Sequence, residues 1–442
     1  MGLLPNKIIR DLEYRRFYSV DASGFSITPD AVYMPSNVNN IRKIIRYAIN
    51  NNTTITCRGG GTGLAGGALN SGIILDMKLL NNMELNNNVL SAGSGVYRRM
   101  LDKKLNSKSR FFGPNPSVGP YCTVGGMIAN NAAGSHSIKY GCTIDNLIKI
   151  TIIDGRDDIV TLPDDEHYSG AIHDICSDAD LDAYPHTKKN SSGYRLDAVT
   201  SPDNSHKVIA ASEGTLGVII SADLKTHAKP SSIHMMVISY ADKYVAAADC
   251  IEISKLNPSS LEIMGPGILH YANVTLFVEF DVPPSQWRDK LYDIINGKIL
   301  LYDTDAYRWW SRRSSALSRT LLYYRDTPDI IEDAAVPLEK ISNLIELLHK
   351  LEEKSCKKVY YYGHVGDGNI HVRHPADRHL SKWYLENIIN INGTITAEHG
   401  DGIGRTSYVL QQYGDKNYDA FLRLKKLFDP YNIFNPGKII YH

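Results

Sequence analysis

Residues 57–67, CRGGGTGLAGG, form the most unusual local sequence of the chain, with six glycines between positions 59 and 67. They follow directly after a predicted strand, and a glycine backbone lets successive N–H groups approach an anion without an intervening Cβ. Turns of this kind form an anion-binding nest that suits a pyrophosphate. No lysine–serine or lysine–threonine pair follows, so the stretch is not a Walker loop, and it does not open a helix as G-x-G-x-x-G would. A merely flexible turn stays open as the alternative for this segment alone.

Two further glycine-rich segments downstream favour the ligand interpretation. Residues 113–141, GPNPSVGPYCTVGGMIANNAAGSHSIKYG, contain no acidic side chain, and a buried loop of this composition cannot satisfy its backbone polar groups with regular ladders. In residues 213–219, EGTLGVI, the backbone amides beside Gly217 are predicted to contact an adenine edge. A large polar ligand that supplies partners to all three segments accounts for their composition.

Together the three segments resemble the FAD-binding domain of the vanillyl-alcohol oxidase type, also called the PCMH type. Residues 58–67 match its pyrophosphate loop, residues 123–134 match T-[IV]-G-G-x-x-A-x-N, and residues 212–219 match [GS]-E-G-T-L-G-x-I. The resemblance implies FAD, held non-covalently because the glycine loop contains no histidine. The residues that it implies for FAD binding are Arg58, Gly59, Gly60, Gly61, Thr62, Gly63, Pro116, Thr123, Gly125, Gly126, Asn130, Gly134, Gly217, Ile219 and Asn435.

A second motif, KKVYYYGHVGDGNIHVRHP at residues 357–375, carries two histidines on a predicted hairpin. Asp367 and Gly368 are a preferred pair for a two-residue type I′ turn. Counting outward from that turn places His364 opposite His371, with Cβ atoms about 5 Å apart on one face. Two imidazoles placed in this way can share one metal ion. Two histidines in an ordinary surface hairpin are the alternative.

The segment TITAEHGDGIGR, residues 394–405, offers Glu398 as a third ligand. Two histidines and one carboxylate with an open position make a reactive metal site rather than a closed structural one. Zinc is the first choice, with manganese and iron left open. The next residue, His399, is predicted to be a general base because the pKa of histidine lies near neutrality. A satisfied structural histidine is the alternative at that position.

These motifs resemble the C-terminal domain of the D-lactate dehydrogenase, glycolate oxidase and D-2-hydroxyglutarate dehydrogenase group. That group shows H-x-G-D-G-N-x-H and a later E-H-G, which stand here at residues 364–371 and 398–400. The resemblance implies that His399 abstracts the substrate proton. The metal ligands that it implies are His364, His371 and Glu398.

Two arginines are predicted to bind the substrate. WWSRR, residues 309–313, resembles the W-x-x-R of the group, which makes Arg313 the clamp of a substrate carboxylate. A guanidinium suits this task because its fork matches two carboxylate oxygens. Arg373 lies two residues beyond the second histidine of the hairpin and is a second candidate. Residues 330–337, IIEDAAVP, lack a lysine that some relatives carry, which puts recognition of a dicarboxylate in doubt.

Composition excludes several classes of protein. Lysine plus arginine equals aspartate plus glutamate, at 48 each, so the chain lacks the basic excess of a nucleic-acid-binding protein. Six cysteines without a C-x-x-C pair indicate reduced thiols and argue against a ferredoxin-type cluster. No segment has the length and apolarity of a membrane span. The early charges of the N-terminus are unlike a signal peptide, so we expect a cytoplasmic protein.

The alternation of strand-like and helix-like periods predicts an α+β chain without an evident internal repeat. We expect a two-subdomain PCMH-type FAD-binding domain over residues 1–229 and an α+β, ferredoxin-like substrate domain over residues 230–400. Residues 401–442 are expected to pack back on the first domain; their NPGK at 435–438 resembles the C-terminal end of the group.

The predicted function is FAD-dependent oxidation of a small D-2-hydroxy acid, with hydride transfer to the flavin and electrons passed to an external acceptor. A homodimer is left open. One alternative is a non-catalytic FAD-carrying subunit of a larger complex. Another is a transferase like the alkyl ether-lipid synthases, whose contiguous run of histidines this sequence lacks.

Overall fold

The computed structural model describes residues 8–269, 273–302, 306–324 and 328–441. Its strands are β1 (Ala31–Tyr33), β2 (Ile55–Arg58), β3 (Ile73–Asp76), β4 (Met83–Asn86), β5 (Val89–Gly93), β6 (Arg110–Phe111), β7 (Leu147–Ile153), β8 (Ile159–Leu162), β9 (Val218–Lys225), β10 (His227–Ala228), β11 (His234–Tyr240), β12 (Ser260–Met264), β13 (Val274–Phe280), β14 (Lys298–Tyr302), β15 (Asp329–Ala335), β16 (Tyr360–Gly363) and β17 (Asn369–Pro375). Its α-helices are α1 (Leu12–Arg16), α2 (Val38–Asn51), α3 (Arg98–Asn106), α4 (Val124–Ala129), α5 (Ser137–Tyr140), α6 (Glu166–Ser177), α7 (Lys243–Ser254), α8 (Arg288–Ile294), α9 (Ala306–Ser314), α10 (Ala316–Tyr323), α11 (Ile341–Ser355), α12 (Arg378–Asn390) and α13 (Gly402–Phe428).

The N-terminal half contains two main sheets, as expected for two subdomains, and a short antiparallel pair of β6 with β10. Of the two main sheets, a parallel one has the strand order β1-β3-β2, and an antiparallel one has the order β4-β5-β9-β7-β8. Helix α2 begins after Asn37, whose side chain accepts the N–H of Asn40 and so caps the helix. Its apolar residues recur at helical spacing and form one buried face. The buried residues of this helix are Ile41, Ile44, Ile45 and Ala48.

The second half is built on one antiparallel sheet, which within the described residues has the order β14-β11-β13-β12-β16-β17-β15. Strands β11 to β14, with α7 and α8 between them, form a ferredoxin-like βαββαβ unit in the order β14-β11-β13-β12. Strands β15 to β17, with α11 and α12, repeat the same order, and residues 394–396 bridge to β15 in the place of a fourth strand. The α+β class is therefore confirmed, and the sheet contains a duplication that is not evident in the sequence.

The C-terminal segment packs against both main sheets of the N-terminal half: α13 joins the core of the antiparallel sheet, and the residues after it lie against the parallel sheet. Helix α13 ends at Phe428, directly before Asp429 and Pro430. Phe434 then forms a parallel bridge with Ile55 of β2, and the side chain of Asn435 accepts the hydroxyl of Thr56 at 2.9 Å. Across the described ranges, no helix combines the length and the apolar composition that a bilayer crossing requires.

Candidate active site

The larger of two adjoining cavities has a volume of about 360 Å³ and lies against the glycine loop. The predicted FAD-binding residues that line it are Arg58, Gly59, Gly60, Gly61, Thr62, Gly63, Pro116, Thr123, Gly125, Gly126, Asn130, Gly217 and Ile219. Gly134 and Asn435 lie outside this lining. The carbonyl oxygen of Gly134 accepts Nζ of Lys189 at 3.2 Å, and the buried amide of Asn435 donates to the carbonyl oxygens of Gly67 and Glu213.

The glycine loop is held in place by the side chain of Arg58. Its guanidinium donates to the carbonyl oxygen of Val20 at 2.7 Å and lies over the ring of Tyr18, so it ties the loop to the N-terminal segment. Gly61 has a φ of +66°, and a Cβ there would lie 2.4 Å from the guanidinium. Glycine is required at that position because the backbone is left-handed and the space is already filled.

A smaller cavity of about 160 Å³ adjoins the first. It is lined by Leu64, Ser117, Val118, Arg313, Ser314, Ser318, Ile331, Tyr362, His364, His371, Glu398 and His399. Five residues line both cavities: Leu64, Ser117, Val118, Glu398 and His399. A small ligand in the smaller cavity and a large one in the other would therefore meet at this boundary, where Glu398 and His399 are the titratable side chains.

The turn between the two predicted histidine ligands differs from the predicted two-residue turn. Strands β16 and β17 pair Tyr362 with His371, so His364 is not opposite His371 in the ladder. A short 3₁₀ turn follows His364 instead, and its Asp367 is buried and accepts the hydroxyl of Ser137 at 2.6 Å. The predicted register is wrong because Asp367 packs against the N-terminal half rather than standing at a solvent corner. The two imidazole rings nevertheless converge, with centroids 5.3 Å apart.

Both imidazoles direct Nε2 at the same carboxylate oxygen. Oε1 of Glu398 lies 3.3 Å from Nε2 of His364 and 3.2 Å from Nε2 of His371. The opposite ring nitrogens face other carboxylates. Glu262 lies 2.5 Å from Nδ1 of His364, and Asp333 lies 3.0 Å from Nδ1 of His371. A carboxylate behind each ring favours the tautomer that leaves Nε2 free to bind a metal.

The chemistry of this group of side chains fits a divalent metal. Donor atoms of Asp333, His371, Glu398 and His399 all lie within 4.8 Å of one another, and Nε2 of His364 joins them through Glu398. Imidazole nitrogens with one or more carboxylate oxygens are a donor set that zinc and neighbouring transition metals accept. The residues present therefore fit such an ion.

Asp333, on β15, organises the loop that carries the two shared residues. Its side chain is fully buried, and Oδ2 accepts the backbone N–H groups of Glu398 and His399, each at 2.8 Å. The hydroxyl of Thr396 donates to the same oxygen at 3.1 Å, and Asn369 donates to Oδ1 at 2.9 Å. One carboxylate thus positions both the loop and the ring of the neighbouring histidine.

The buried charges shift the pKa values of these groups in different directions. Burial lowers the pKa of His399 to about 4, which leaves a neutral imidazole at neutral pH. Burial also disfavours charge on His371, but the carboxylates of Asp333 and Glu398 outweigh it and raise its pKa to about 9. Burial alone would raise the pKa of Asp333; His399 and His371 instead hold it well below its usual range. In the metal-free site at neutral pH, His399 is therefore neutral, whereas His371 and Asp333 are charged.

The two predicted substrate arginines occupy different surroundings. Arg313 lines the smaller cavity, and its Nε lies 2.5 Å from Oε2 of Glu262. Burial would raise the pKa of Glu262, but Arg313 and the imidazole of His364 hold it at about 2, so this carboxylate stays ionised. Arg373 is buried, forms an ion pair with Asp329 and lines neither cavity.

Three residues of the site were not predicted from the sequence: Glu262, Asp333 and Lys189. Glu262 stands inside the apolar strand SLEIM and Asp333 inside DIIEDAA, and a buried acidic residue in a strand needs a polar partner. That conflict is a signal from which both could have been found. Lys189 lies in the irregular segment HTKKNSSGY, which carries no periodic pattern, so its burial could not be read from the sequence.

Two family models match the chain. The FAD binding domain model matches residues 29–163, and the model of the FAD linked oxidases, C-terminal domain, matches residues 229–439. Together they account for more than three quarters of the sequence. The chain therefore belongs to the FAD-linked oxidases, and the predicted resemblance is confirmed.

Similar proteins cover nearly the whole chain. Glycolate oxidase subunit GlcD of Bacillus subtilis is 29% identical over 96% of this chain and 92% of its own length. D-lactate dehydrogenase of Archaeoglobus fulgidus is 27% identical, over 92% and 91% respectively. A solved structure of alkyldihydroxyacetonephosphate synthase superposes with a TM-score of 0.70 at 17% identity, covering 99% of this chain and 83% of that one. The last similarity is one of fold.

Proposed function

We propose that this chain is an FAD-dependent dehydrogenase that oxidises a small D-2-hydroxy acid to the 2-oxo acid, with the help of a divalent metal. The observation that carries the proposal is that Glu398 and His399 line both the larger and the smaller cavity. A metal ligand and a candidate base thus stand between the place for a flavin and the place for a small substrate. Two relatives that match nearly the whole chain are named for oxidising enzymes of hydroxy acids.

The proposed ligands of the metal are His364, His371 and Glu398, with zinc as the first choice. Asp333 lies within reach of the same ion, but its side-chain oxygens already accept five hydrogen bonds from the chain, four of which come from residues 396–399 of the loop. It therefore acts as a support. When bound, FAD supplies the hydride acceptor and the metal lowers the pKa of a coordinated hydroxyl.

The residues of the smaller cavity bind and orient the substrate. Arg313 binds the carboxylate, and Glu262 behind it keeps the guanidinium in one orientation. His399 is neutral at pH 7 because burial lowers its pKa to about 4, so its free nitrogen accepts the hydroxyl proton. The ring of His399 stacks on His371 at 5.0 Å and 7°, which restricts the orientation of the base. Arg373, behind Tyr362, is proposed as a supporting charge.

Anaerobic addition of substrates to the flavin-bound protein tests this proposal. D-lactate and other D-2-hydroxy acids should bleach the flavin absorbance, whereas the L enantiomers should not. A chelator should abolish the bleaching, and adding back Zn²⁺ or Mn²⁺ should restore it. His399→Gln should keep its flavin and lose the bleaching rate, because the amide accepts no proton. A protein that no hydroxy acid bleaches would refute the activity and favour a flavin-carrying subunit of a larger complex.

The electron acceptor is proposed to be external to the chain. The six cysteines are separate thiols in the structure, and their spacing does not match a ferredoxin-type cluster. Steady-state turnover with a soluble dye, compared with oxygen, should show that electrons leave by the dye. Turnover with oxygen at the same rate would make the enzyme an oxidase instead.

A further inference from the structure

Lys189 is a fully buried lysine that no step of the proposed reaction uses. Its side chain has 0% exposure, and a lysine almost never occupies such a position without charged partners. It comes from the N-terminal half, in the loop between α6 and β9, but its ammonium group reaches the second half. A buried ammonium group of this kind requires carboxylates or other hydrogen-bond acceptors around it.

The ammonium group lies between two carboxylates of the second half. Nζ of Lys189 is 3.4 Å from Oε2 of Glu398 and 3.7 Å from Oδ2 of Asp367. It also donates to the carbonyl oxygen of Gly134, at 3.2 Å, and to the side chain of Asn369, at 3.5 Å. The two oxygens of Glu398 therefore have separate partners, since Oε1 faces the imidazoles and Oε2 faces the lysine.

The local charge balance indicates what the contact between Lys189 and Glu398 does. Among the described side chains that contact His364, His371 or Glu398, or that contact Lys189, carboxylates outnumber cations. The carboxylates are the buried Glu262, Asp333 and Asp367 and the largely buried Glu398, and the cations are Lys189 and Arg313. With these six side chains ionised and both imidazoles neutral, as metal ligation requires, the group carries two excess negative charges, which one divalent ion neutralises. Without the lysine, the excess would rise and Glu398 would be free to turn away from the imidazoles.

We propose that Lys189 is a positioning residue of the metal site, which holds Oε2 of Glu398 so that Oε1 is presented to the ion beside His364 and His371. This inference rests on the proposed function, because it assumes the metal. The lysine touches neither substrate nor flavin; it acts through Glu398. Its bond to Gly134 also ties the metal ligand to a glycine-rich segment of the flavin-binding half.

The test compares two buried lysines of the same chain. The flavin-bound protein is stripped of metal with a chelator and titrated with Zn²⁺ against a chromophoric competitor, so the readout is the dissociation constant of the metal. Lys189→Met should bind Zn²⁺ about 10–100-fold more weakly, as removal of an outer-shell partner does. Lys425→Met is the matched control. Lys425 is also buried, with its side chain 8% exposed in a contact with Asp429, and its loss should leave the dissociation constant within about threefold of wild type.

A second variant guards against a failure to fold. Lys189→Met combined with Asp367→Asn removes one unpaired carboxylate together with the cation, so it should keep flavin while binding Zn²⁺ as weakly as the single variant. Equal metal affinity in wild type and Lys189→Met would overturn the role of the lysine, and so would loss of flavin from both variants. Failure of the wild-type protein to bind Zn²⁺ or Mn²⁺ would instead overturn the metal site itself.

Discussion

The carboxylate of Asp333 holds the loop that carries Glu398, the proposed metal ligand, and His399, the proposed base, so its removal should lower stability. Its Oδ2 accepts the backbone N–H groups of Glu398 and His399 at 2.8 Å each. The N–H of Ala397 reaches it too, but keeps the main-chain carbonyl oxygen of Asp333 as a partner at 2.8 Å. Asp333→Ala therefore leaves two loop N–H groups without an acceptor. At about 1–3 kcal/mol each, the free energy of unfolding should fall by about 2–6 kcal/mol.

Asp333→Asn separates the loop from the histidine. The amide oxygen still accepts the two N–H groups, so the loss of stability should be smaller than in the alanine variant. The amide nitrogen, however, replaces the oxygen that lies 3.0 Å from Nδ1 of His371. It would donate to Nδ1, which moves the ring proton to Nε2 and blocks the ligand atom. The affinity for metal should therefore fall by about 10–100-fold in a protein that remains folded.

Urea unfolding followed by tryptophan fluorescence measures the first effect, and a competition titration with Zn²⁺ measures the second. Asp333→Ala should lose more stability than Asp333→Asn. Asp333→Asn should lose metal affinity without a matching loss of stability. Equal stability of the wild type and Asp333→Ala would refute the account of the loop. Wild-type metal affinity in Asp333→Asn would refute the account of the tautomer.

Three further predictions test other parts of the structure, two of them with a matched control substitution. Burial raises the pKa of Glu213 to about 8, so between about pH 5 and 8 the folded chain holds a proton that the unfolded chain has released. Stability then falls as pH rises, by up to about 1.4 kcal/mol per pH unit, and Glu213→Gln should flatten this slope in urea unfolding curves. Gly368→Ala should lower the melting temperature by more than about 5 °C, because φ is +71° and the new Cβ would lie 1.9 Å from a backbone oxygen; Gly170→Ala, in open space within a helix, should raise it slightly. Arg313→Met should lower kcat/KM for a D-2-hydroxy acid by about 10–100-fold, the value of a charged hydrogen bond, whereas Arg312→Met should leave it unchanged.

The fold was predictable because its motifs depend on local sequence. Three glycine-rich segments are separated by many residues, yet their combined composition favours a large polar ligand, and all three line one cavity. The histidines of the second motif also lie together with Glu398, as the sequence indicated. Residue type and spacing were sufficient to predict these groupings, because a metal site needs nitrogen or oxygen donors and a phosphate site needs free N–H groups, whatever packs around them.

The register of the turn was not predictable for the opposite reason. Asp367 and Gly368 have the composition of an exposed hairpin corner, and local turn preferences assume solvent around it. In the structure, Asp367 is buried against Ser137 and Lys189 of the other half of the chain, which are distant in sequence. Tertiary contacts of this kind override local turn propensity. A single sequence does not indicate which distant residues will pack against the turn.

The side chains of the proposed site are held by contacts from both halves of the chain. Both imidazoles are mounted on the sheet side and backed by Glu262 and Asp333 of neighbouring strands, so their orientation is set within the second half. The loop with Glu398 is different, because Asp333 holds its backbone from the sheet side while Lys189 holds its side chain from the flavin-binding half. The proposed metal site is therefore complete only when the two halves are docked. Docking also brings His399, the proposed base, to the edge of the flavin cavity, so the proposed ion site and the proposed contact with the flavin arise from the same interface.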